Sequence, residues 1–324
     1  MKLPTYPDLE EAVKRTAPHI VQTPLLESPL LNQLVGGRVL VKAEPLQKTG
    51  SFKFRGAINA IWNLSDDVTH VVAYSSGNHA AAVAAAASSR GMLATIIMPE
   101  DAPAMKVANT KAFGGQVVTY DRYSESREDI GAAIAKEQGA TLIPPFEYLP
   151  VIAGQGTIGI EIAHRLKDQS ITPDQLICCT GGGGLLAGIS IGIHHHFLDI
   201  DIIAAEPDGF DDFKRSLKQG KRVSNDPDAR SICDSIITAM PGEMTFAINR
   251  EHVSKAVSVS DDEALMAMAR AWQYLKCVAE PGGAVALAAI LSGKIEAKDK
   301  TSVVIISGGN VDQAMFARAL AFAP

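Results

Sequence analysis

The chain has 324 residues, enough for two lobes or one large fold at roughly 100–200 residues per domain. Its 47% hydrophobic and 20% charged residues can build a full core, which excludes an intrinsically disordered protein. The net charge of -6 and the lack of a basic block make nucleic acid an unsuitable partner, and no apolar run reaches the ~20 residues of a membrane helix.

The N-terminus and the cysteines predict a cytoplasmic protein. The N-terminus, with Asp8, Glu10 and Glu11, lacks the charged-then-apolar pattern of a secretion signal. None of the four cysteines has the spacing of a metal knuckle or a disulfide framework. We therefore expect reduced thiols.

In chain order, short β-branched runs alternate with longer stretches rich in alanine and leucine. This pattern predicts an α/β fold with mostly parallel, twisted sheets covered by helices. The predicted strands are 38–42, 70–74, 93–98, 116–120, 141–143, 175–180, 201–205, 253–259 and 301–306. The clearest helices are 78–89, 103–113, 126–138, 185–197, 261–276 and 311–321.

The βα units run without interruption from Phe52 to Ile143, which suggests one compact lobe. We predict a small domain at 48–146 and a large domain formed by 1–47 together with 147–324. Ligands of such sheets bind beyond the carboxyl ends of the strands, so the expected site is a cleft shared by the two lobes.

A lysine lies between two aromatic residues in the segment Thr49–Gly56, where a helical pattern starts. Apolar rings and a helix N-terminus disfavour an ammonium, so the amine of Lys53 is more often free to attack a carbonyl and form a Schiff base. Taken alone, these residues are more typical of a surface helix start.

The segment Ser75-Ser76-Gly77-Asn78-His79 follows a predicted strand and opens an alanine-rich helix. Small hydroxyl groups and backbone amides at a helix start form a nest that suits a carboxylate, and Asn78 can direct its amide toward a ring oxygen. By itself, His79 is more typical of packing than of a catalytic base.

Four consecutive glycines, 181–184, join a predicted strand to a predicted helix. Without Cβ atoms, their N–H groups can close around one small anion at the helix start. The block matches neither a P-loop nor the G-x-G-x-x-G fingerprint, so a single phosphate monoester is favoured over a dinucleotide. The alternative is a tight turn. Ser307-Gly308-Gly309-Asn310 repeats the strand-to-helix context, and alone it is typical of a turn with a helix cap.

In this order the four segments resemble the fold-type II pyridoxal-phosphate enzymes, and within them the serine/threonine dehydratase and serine racemase group. The resemblance runs from Thr23 to Asn310 and includes Val151–Thr157 and Glu280-Pro281. It implies a two-lobed, tryptophan synthase β-like fold, pyridoxal 5'-phosphate (PLP) as cofactor and a homodimer.

The resemblance also implies roles for individual residues. Lys53 would carry the cofactor, with Phe52 beside the cofactor ring, Asn78 on its 3′ oxygen and Ser307 facing the pyridine nitrogen. The phosphate would be held by the backbone of Gly181, Gly182, Gly183, Gly184 and Leu185. The substrate would be bound by Ser75, Ser76, His79 and Arg127.

The implied reaction is β-elimination from an amino acid such as L-serine or L-threonine, giving a 2-oxo acid and ammonia, with Lys53 as tether and base. A serine facing the ring nitrogen makes a weaker electron sink than a carboxylate would, which favours prompt loss of a β-hydroxyl group.

Three alternatives stay open. Ser76 matches the residue that returns a proton in the racemases, so serine racemisation is the second candidate. The substrate could instead be 3-hydroxyaspartate, through Arg127, or a bulky amino acid such as phenylserine, through Phe146, Tyr148 or Leu149. A catalytically silent phosphate-ligand-binding protein is the candidate from another class.

An acidic cluster at 206–212 predicts a divalent cation. Glu206, the carbonyl of Phe210 and Asp212 coincide with the metal positions of the racemase group, and hard oxygen ligands suit Mg²⁺ or Ca²⁺. The alternative is an acidic helix start.

Overall fold

The computed structural model describes residues 2–75, 77–121 and 124–322, with Glu128 described by its backbone alone. The helices are α1 (Tyr6–Thr16), α2 (Pro29–Val35), α3 (Lys53–Trp62), α4 (Asn78–Ser89), α5 (Ala104–Ala112), α6 (Arg127–Gln138), α7 (Leu149–Asp168), α8 (Gly184–His194), α9 (Asp212–Gln219), α10 (Glu243–His252), α11 (Asp261–Arg270), α12 (Pro281–Leu291) and α13 (Gln313–Leu320). The strands are β1 (Leu25–Glu27), β2 (Arg38–Ala43), β3 (His70–Tyr74), β4 (Leu93–Pro99), β5 (Gln116–Tyr120), β6 (Thr141–Leu142), β7 (Gln175–Cys179), β8 (Asp201–Pro207), β9 (Val253–Val259) and β10 (Thr301–Ile306).

The strands form two sheets. The larger has the order β1-β2-β10-β7-β8-β9 and is parallel except for β1, and the smaller has the order β5-β4-β3-β6 and is parallel throughout. Helices cover both, as parallel sheets require. The predicted α/β class is confirmed. The smaller sheet lies within 48–146, and the domain boundaries themselves stay a prediction.

Each sheet has its own apolar core. The core of the larger sheet includes Val41, Ile177 and Ile305, and that of the smaller sheet includes Val71 and Ile96. All of them are buried β-branched residues on strands with neighbours on both sides, where such side chains pack well.

The long helix α7 packs against both α3 and α8. A Cβ atom at Gly154 would lie 2.5 Å from the carbonyl oxygen of Arg55, and one at Gly159 would lie 2.6 Å from that of Ile189. Glycine is therefore required where α7 meets the other two backbones. Because α3 begins at Lys53 and α8 begins at Gly184, α7 positions both ends of the predicted site.

Two further findings concern membrane-spanning helices and the cysteines. Within the described residues, none of the helices combines the length and the apolar character needed to cross a bilayer. All four cysteines are buried free thiols.

Candidate active site

A cavity of about 530 Å³ lies between the two sheets. It lies beyond the carboxyl ends of β3 and β7, as expected for ligands of parallel sheets. The predicted site residues that line it are Phe52, Lys53, Ser75, Asn78, His79, Arg127, Gly181, Gly182, Gly183, Gly184 and Leu185. Ser307 is not among the lining residues but contacts one of them, Cys179, and Ser76 is outside the described residues.

Lys53 is the first residue of α3, and its amine lies inside the cavity. The Nζ atom donates a hydrogen bond to the carbonyl of Pro145 at 3.0 Å and lies 5.2 Å from the centre of the Phe52 ring. Burial lowers the pKa of Lys53 to about 8, although Cys179 and Glu280 oppose the shift. The amine is therefore closer to its nucleophilic form than an ordinary lysine.

The segment before α3 is pinned to the end of β10. Phe52 N–H donates to the carbonyl of Ser307 at 3.0 Å, and Ser51 bridges to Gly308. The hydroxyl of Ser307 accepts a hydrogen bond from the Cys179 thiol at 3.3 Å, so its own proton is available to a ring nitrogen. Lys53 and Ser307 thus lie on adjoining segments.

The glycine loop 181–184 forms the opposite part of the cavity. Gly183 has φ 93, and Cβ atoms at Gly181 and Gly183 would lie 2.5 Å from the Ile236 carbonyl oxygen and 2.8 Å from Thr245 Oγ1. From outside the cavity, Thr245 Oγ1 donates to the carbonyl of Gly182 at 2.6 Å, and Asn249 Nδ2 donates to that of Gly183 at 3.1 Å.

The N–H groups of this loop are open to an anion. Within the described residues, no backbone or side-chain acceptor is bound by the N–H groups of residues 181–185. Unpaired donors at a helix start fit a phosphate group, and the glycines let the loop pack closely against the neighbouring Ile236, Phe146 and Thr245. The loop therefore has the features expected of a site for the phosphate group of PLP.

Replacing Gly183 by alanine is expected to weaken PLP binding about 10-fold or more, because the loop must shift away from Thr245 to accept a Cβ at positive φ. Absorbance titration of the cofactor-free protein measures this. The control is Gly91→Ala, which has φ 68 and nothing within 4 Å of the new Cβ. Both variants share the backbone strain, so an equal loss of PLP affinity in both would contradict a specific role of the loop.

Asn78 is held by two partners at the start of α4. Its Nδ2 donates to Glu280 Oε1 at 2.5 Å, and its Oδ1 accepts from Asn310 Nδ2 at 2.8 Å. Glu280 is buried, and burial raises its pKa to about 7. Its Oε2 has no hydrogen-bond partner within the described residues. The sequence motif Glu280-Pro281 marked this residue without revealing its contact with Asn78.

The predicted substrate residues lie at one end of the cavity. His79 Nε2 faces the Ile143 carbonyl at 2.8 Å and must donate to it, and burial lowers the pKa of His79 to about 3, so the ring is neutral. Ser75 Oγ accepts from Gly77 N–H at 3.2 Å. The Arg127 guanidinium lies 5.2 Å from the centre of the Tyr74 ring. Their roles in carboxylate binding stay predictions.

A buried ion network behind Lys53 was not expected from the sequence. Arg55 pairs with Glu44 at 2.8 Å and with Glu161 at 2.6 Å, and Lys42 pairs with the same Glu161 at 2.6 Å. Arg55 and Glu44 are fully buried. The network therefore contains two cations and two carboxylates, and its central cation, Arg55, lies two residues beyond Lys53.

The predicted metal residues lie outside the cavity, between β8 and α9. Glu206 accepts from the N–H groups of Phe213 and Lys214 at 2.8 and 2.9 Å, so it also caps α9. Asp212 Oδ1 accepts from Asn225 at 2.6 Å, and its Oδ2 has no partner within the described residues. In that part of the chain, no cluster of three or more His, Cys, Asp or Glu side chains is arranged to hold a metal. Glu206 and Asp212 supply only two carboxylates.

Several known proteins are similar to this chain. Residues 16–308 match the family described as pyridoxal-phosphate dependent enzyme. The chain is 41% identical to L-threo-3-hydroxyaspartate ammonia-lyase of Saccharomyces cerevisiae over 320 residues, covering 98% of this chain and 96% of that protein. It is 39% identical to serine racemase of Schizosaccharomyces pombe, with 98% of each chain covered. The crystal structure of a threonine deaminase from T.th. has a TM-score of 0.90 and 40% identity, covering 95% of this chain and 99% of that chain.

Proposed function

The chain belongs to the pyridoxal-phosphate-dependent enzyme family, in the group of ammonia-lyases and serine racemases, and we propose that its main reaction is β-elimination from a β-hydroxy amino acid. The products are a 2-oxo acid and ammonia. The observation that carries this proposal is that one cavity holds both a lysine of lowered pKa and a glycine loop with unpaired N–H groups.

The residues around the cavity suit PLP. The loop 181–185 would hold the phosphate, Lys53 the aldehyde carbon, Asn78 the 3′ oxygen and Ser307 the ring nitrogen. When bound, PLP supplies an electron sink that allows a Cα proton and a β-hydroxyl group to leave the substrate.

The Lys53 amine acts as the base at the substrate Cα. A pKa of about 8 leaves about a tenth of the amine neutral at pH 7, whereas an ordinary lysine is almost entirely charged. The neutral hydroxyl of Ser307 donates a hydrogen bond but cannot keep a proton on the nitrogen as a carboxylate would. This difference favours elimination over transamination.

The substrate carboxylate binds at the start of α4. Ser75, Gly77 and Asn78 line the cavity at this end, and a helix N-terminus favours an anion. Ser76, which the resemblance assigns to this nest, belongs to the same loop but lies outside the described residues.

The accepted side chain is small or acidic. L-Serine and L-threonine are the default substrates, and 3-hydroxyaspartate is the alternative that Arg127 supports. Of the three residues that could favour a bulky substrate, Phe146 lines the cavity, whereas Tyr148 and Leu149 are not among its lining residues. The Phe146 ring moreover lies against Gly182, and the Cβ and backbone of Phe146 lie against Gly184, which leaves phenylserine as the weakest alternative.

The test is release of a 2-oxo acid by the PLP-loaded protein from L-serine, L-threonine, 3-hydroxyaspartate and phenylserine. We expect turnover of at least one small or acidic substrate. A coloured protein that releases no 2-oxo acid from any of them contradicts β-elimination, and chiral chromatography of serine then tests racemisation. A protein that cannot be loaded to give a visible absorption band would favour the silent phosphate-binding alternative.

A divalent cation at Glu206, the Phe210 carbonyl and Asp212 remains a proposal. Burial raises the pKa of Glu206 well above its usual range and that of Asp212 to about 6, and the neighbouring Asp212 carboxylate adds to the shift of Glu206. A bound Mg²⁺ or Ca²⁺ would offset the cost of charging both groups and would give Asp212 Oδ2 a partner.

Adding Mg²⁺ or Ca²⁺ to chelator-treated protein is expected to stabilise it by about 2.7 kcal/mol at a free ion concentration about 100 times Kd. Asp212→Asn should abolish the rise in Tm, whereas Asp208→Asn, an exposed neighbour, should retain it. If chelation and metal addition leave the Tm of the unmodified protein unchanged, the site does not bind metal.

The homodimer and the cytoplasmic location are also proposals. The resemblance supports the dimer, and four buried free thiols support the cytoplasm. Light scattering of the PLP-loaded protein would measure the mass in solution.

A further inference from the structure

An ion pair joins two parts of the cavity lining. Lys106, on α5 beside the smaller sheet, pairs with Asp234, in the segment that precedes α10. Both residues line the cavity. The pair therefore links α5 to the segment that precedes α10 within the lining of the site.

Lys106 lies over the loop that is expected to bind the substrate. Its Nζ atom is 3.8 Å from the position that a Cβ of Gly77 would occupy, in the middle of the Ser75–Asn78 loop. Lys106 lowers and Asp234 raises the pKa of buried Glu280, which contacts Asn78. Both charges thus act on the interior of the site.

The two partners differ in exposure. The Lys106 side chain is 12% exposed, whereas that of Asp234 is 48% exposed. A half-exposed carboxylate can turn into water at little cost, but a nearly buried ammonium that loses its partner pays most of its desolvation energy. Lys106 therefore needs an anion more than Asp234 needs a cation.

The charges that line the cavity are unequal. Among the described lining residues, Lys106 and Arg127 are cationic in addition to Lys53, which PLP would occupy, and Asp234 is the one carboxylate. The α-carboxylate of an amino acid is accounted for by the start of α4. A second carboxylate on the substrate would lie in the same loop region as Lys106 and could replace Asp234 as its ion-pair partner. A methyl or hydroxymethyl group carries no charge and could not replace Asp234.

We propose that Lys106 is a specificity residue for a second carboxylate on the β-hydroxy amino acid, and that Asp234 is its internal counter-ion, which this carboxylate displaces. The inference rests on the proposed function and narrows it to dicarboxylic substrates. No bond forms or breaks in this step, since one ion pair replaces another.

The experiment compares L-threonine with L-threo-3-hydroxyaspartate, which carries a carboxylate in place of the methyl group. With PLP-loaded Lys106→Met, the ratio of kcat/KM for the dicarboxylate to that for threonine is expected to fall about 30-fold or more, the size of one lost charged hydrogen bond. Lys106→Arg should restore most of the ratio. Asp234→Asn should raise it, because the internal competitor is gone.

The matched control is Lys111→Met, which removes an exposed lysine from the same helix and should leave the ratio unchanged. Equal losses for both substrates in Lys106→Met would mean that the lysine only supports the fold, and the inference would be overturned. Turnover of threonine without any turnover of the dicarboxylate by the unmodified enzyme would overturn it as well.

A binding measurement separates this inference from the proposed reaction. Malonate, a dicarboxylate, is expected to raise the Tm of the PLP-loaded protein more than acetate does at equal concentration, and Lys106→Met should remove the difference. This result supports the dicarboxylate site even where no 2-oxo acid is released, in which case the proposed reaction alone fails. If malonate and acetate act equally on the unmodified protein, Lys106 does not recognise a second carboxylate.

Discussion

Replacing Lys53 by alanine is expected to lower kcat by about 10³-fold or more, with loss of the visible absorption band of the loaded protein. The amine is the group at the start of α3 that faces the cavity with a pKa lowered to about 8. Alanine removes both the covalent attachment point and the base. Steady-state release of 2-oxo acid measures the loss, and borohydride reduction followed by peptide mapping measures the attachment.

Lys48→Ala is the control for this variant. Lys48 precedes Lys53 by five residues in the same segment, and it is exposed with its amine 5.8 Å from the centre of the Phe54 ring. We expect its kcat and its borohydride-reduced peptide to match those of the unmodified protein. Attachment of PLP to a peptide without Lys53, or full activity of Lys53→Ala, would refute the assignment.

Arg55→Met is expected to destabilise the fold by about 3–5 kcal/mol, because it leaves the buried Glu44 and the largely buried Glu161, 13% exposed, with Lys42 as their remaining cationic partner in the network. Arg55 donates to both carboxylates at 2.6 to 2.9 Å. Urea unfolding followed by circular dichroism gives the free energy of unfolding. Because Arg55 lies two residues beyond Lys53, weaker PLP binding should accompany the loss.

Arg38→Met gives the matched comparison. Arg38 also forms a two-fold contact with a glutamate, Glu27, at 2.9 Å, but its side chain is 42% exposed. Exposed pairs of this kind contribute about 0–1 kcal/mol, so this variant should change the free energy of unfolding little. Similar losses in both variants would show that the buried network has no special role in stability.

The sequence was informative where a local pattern determines the structure. Apart from Gln175 and the first two residues of β10, strands β7 and β10 consist of buried apolar residues, and their two-sided burial produces the continuous apolar runs that predict them. The site segments at 75–79, 181–184 and 307–310 follow β3, β7 and β10 closely, so their convergence in one cavity could be expected from parallel topology, whereas the lysine segment does not directly follow a strand.

The remaining features depend on partners distant in sequence. The sequence pattern marks α7 as a motif and does not predict a helix there, because Gly154, Gly156 and Gly159 lower its helix propensity. These glycines are needed because α7 closely approaches other backbones, and a local sequence pattern holds no information about such contacts. The pairs of Arg55 with Glu161 and of Lys106 with Asp234 join residues more than 100 positions apart, so the composition of either segment gave no sign of them.

The contacts of α7 have a consequence for how substrate preference can change. Main chain touches main chain where α7 meets the helix of Lys53 and the helix of the glycine loop, so the span from the amine to the anion site is determined by the backbone. Side chains on α5, on α6 and in the segment before α10 take no part in these contacts. Evolution or engineering can therefore exchange residues there and redirect the enzyme to another amino acid, while the cofactor keeps the same attachment points.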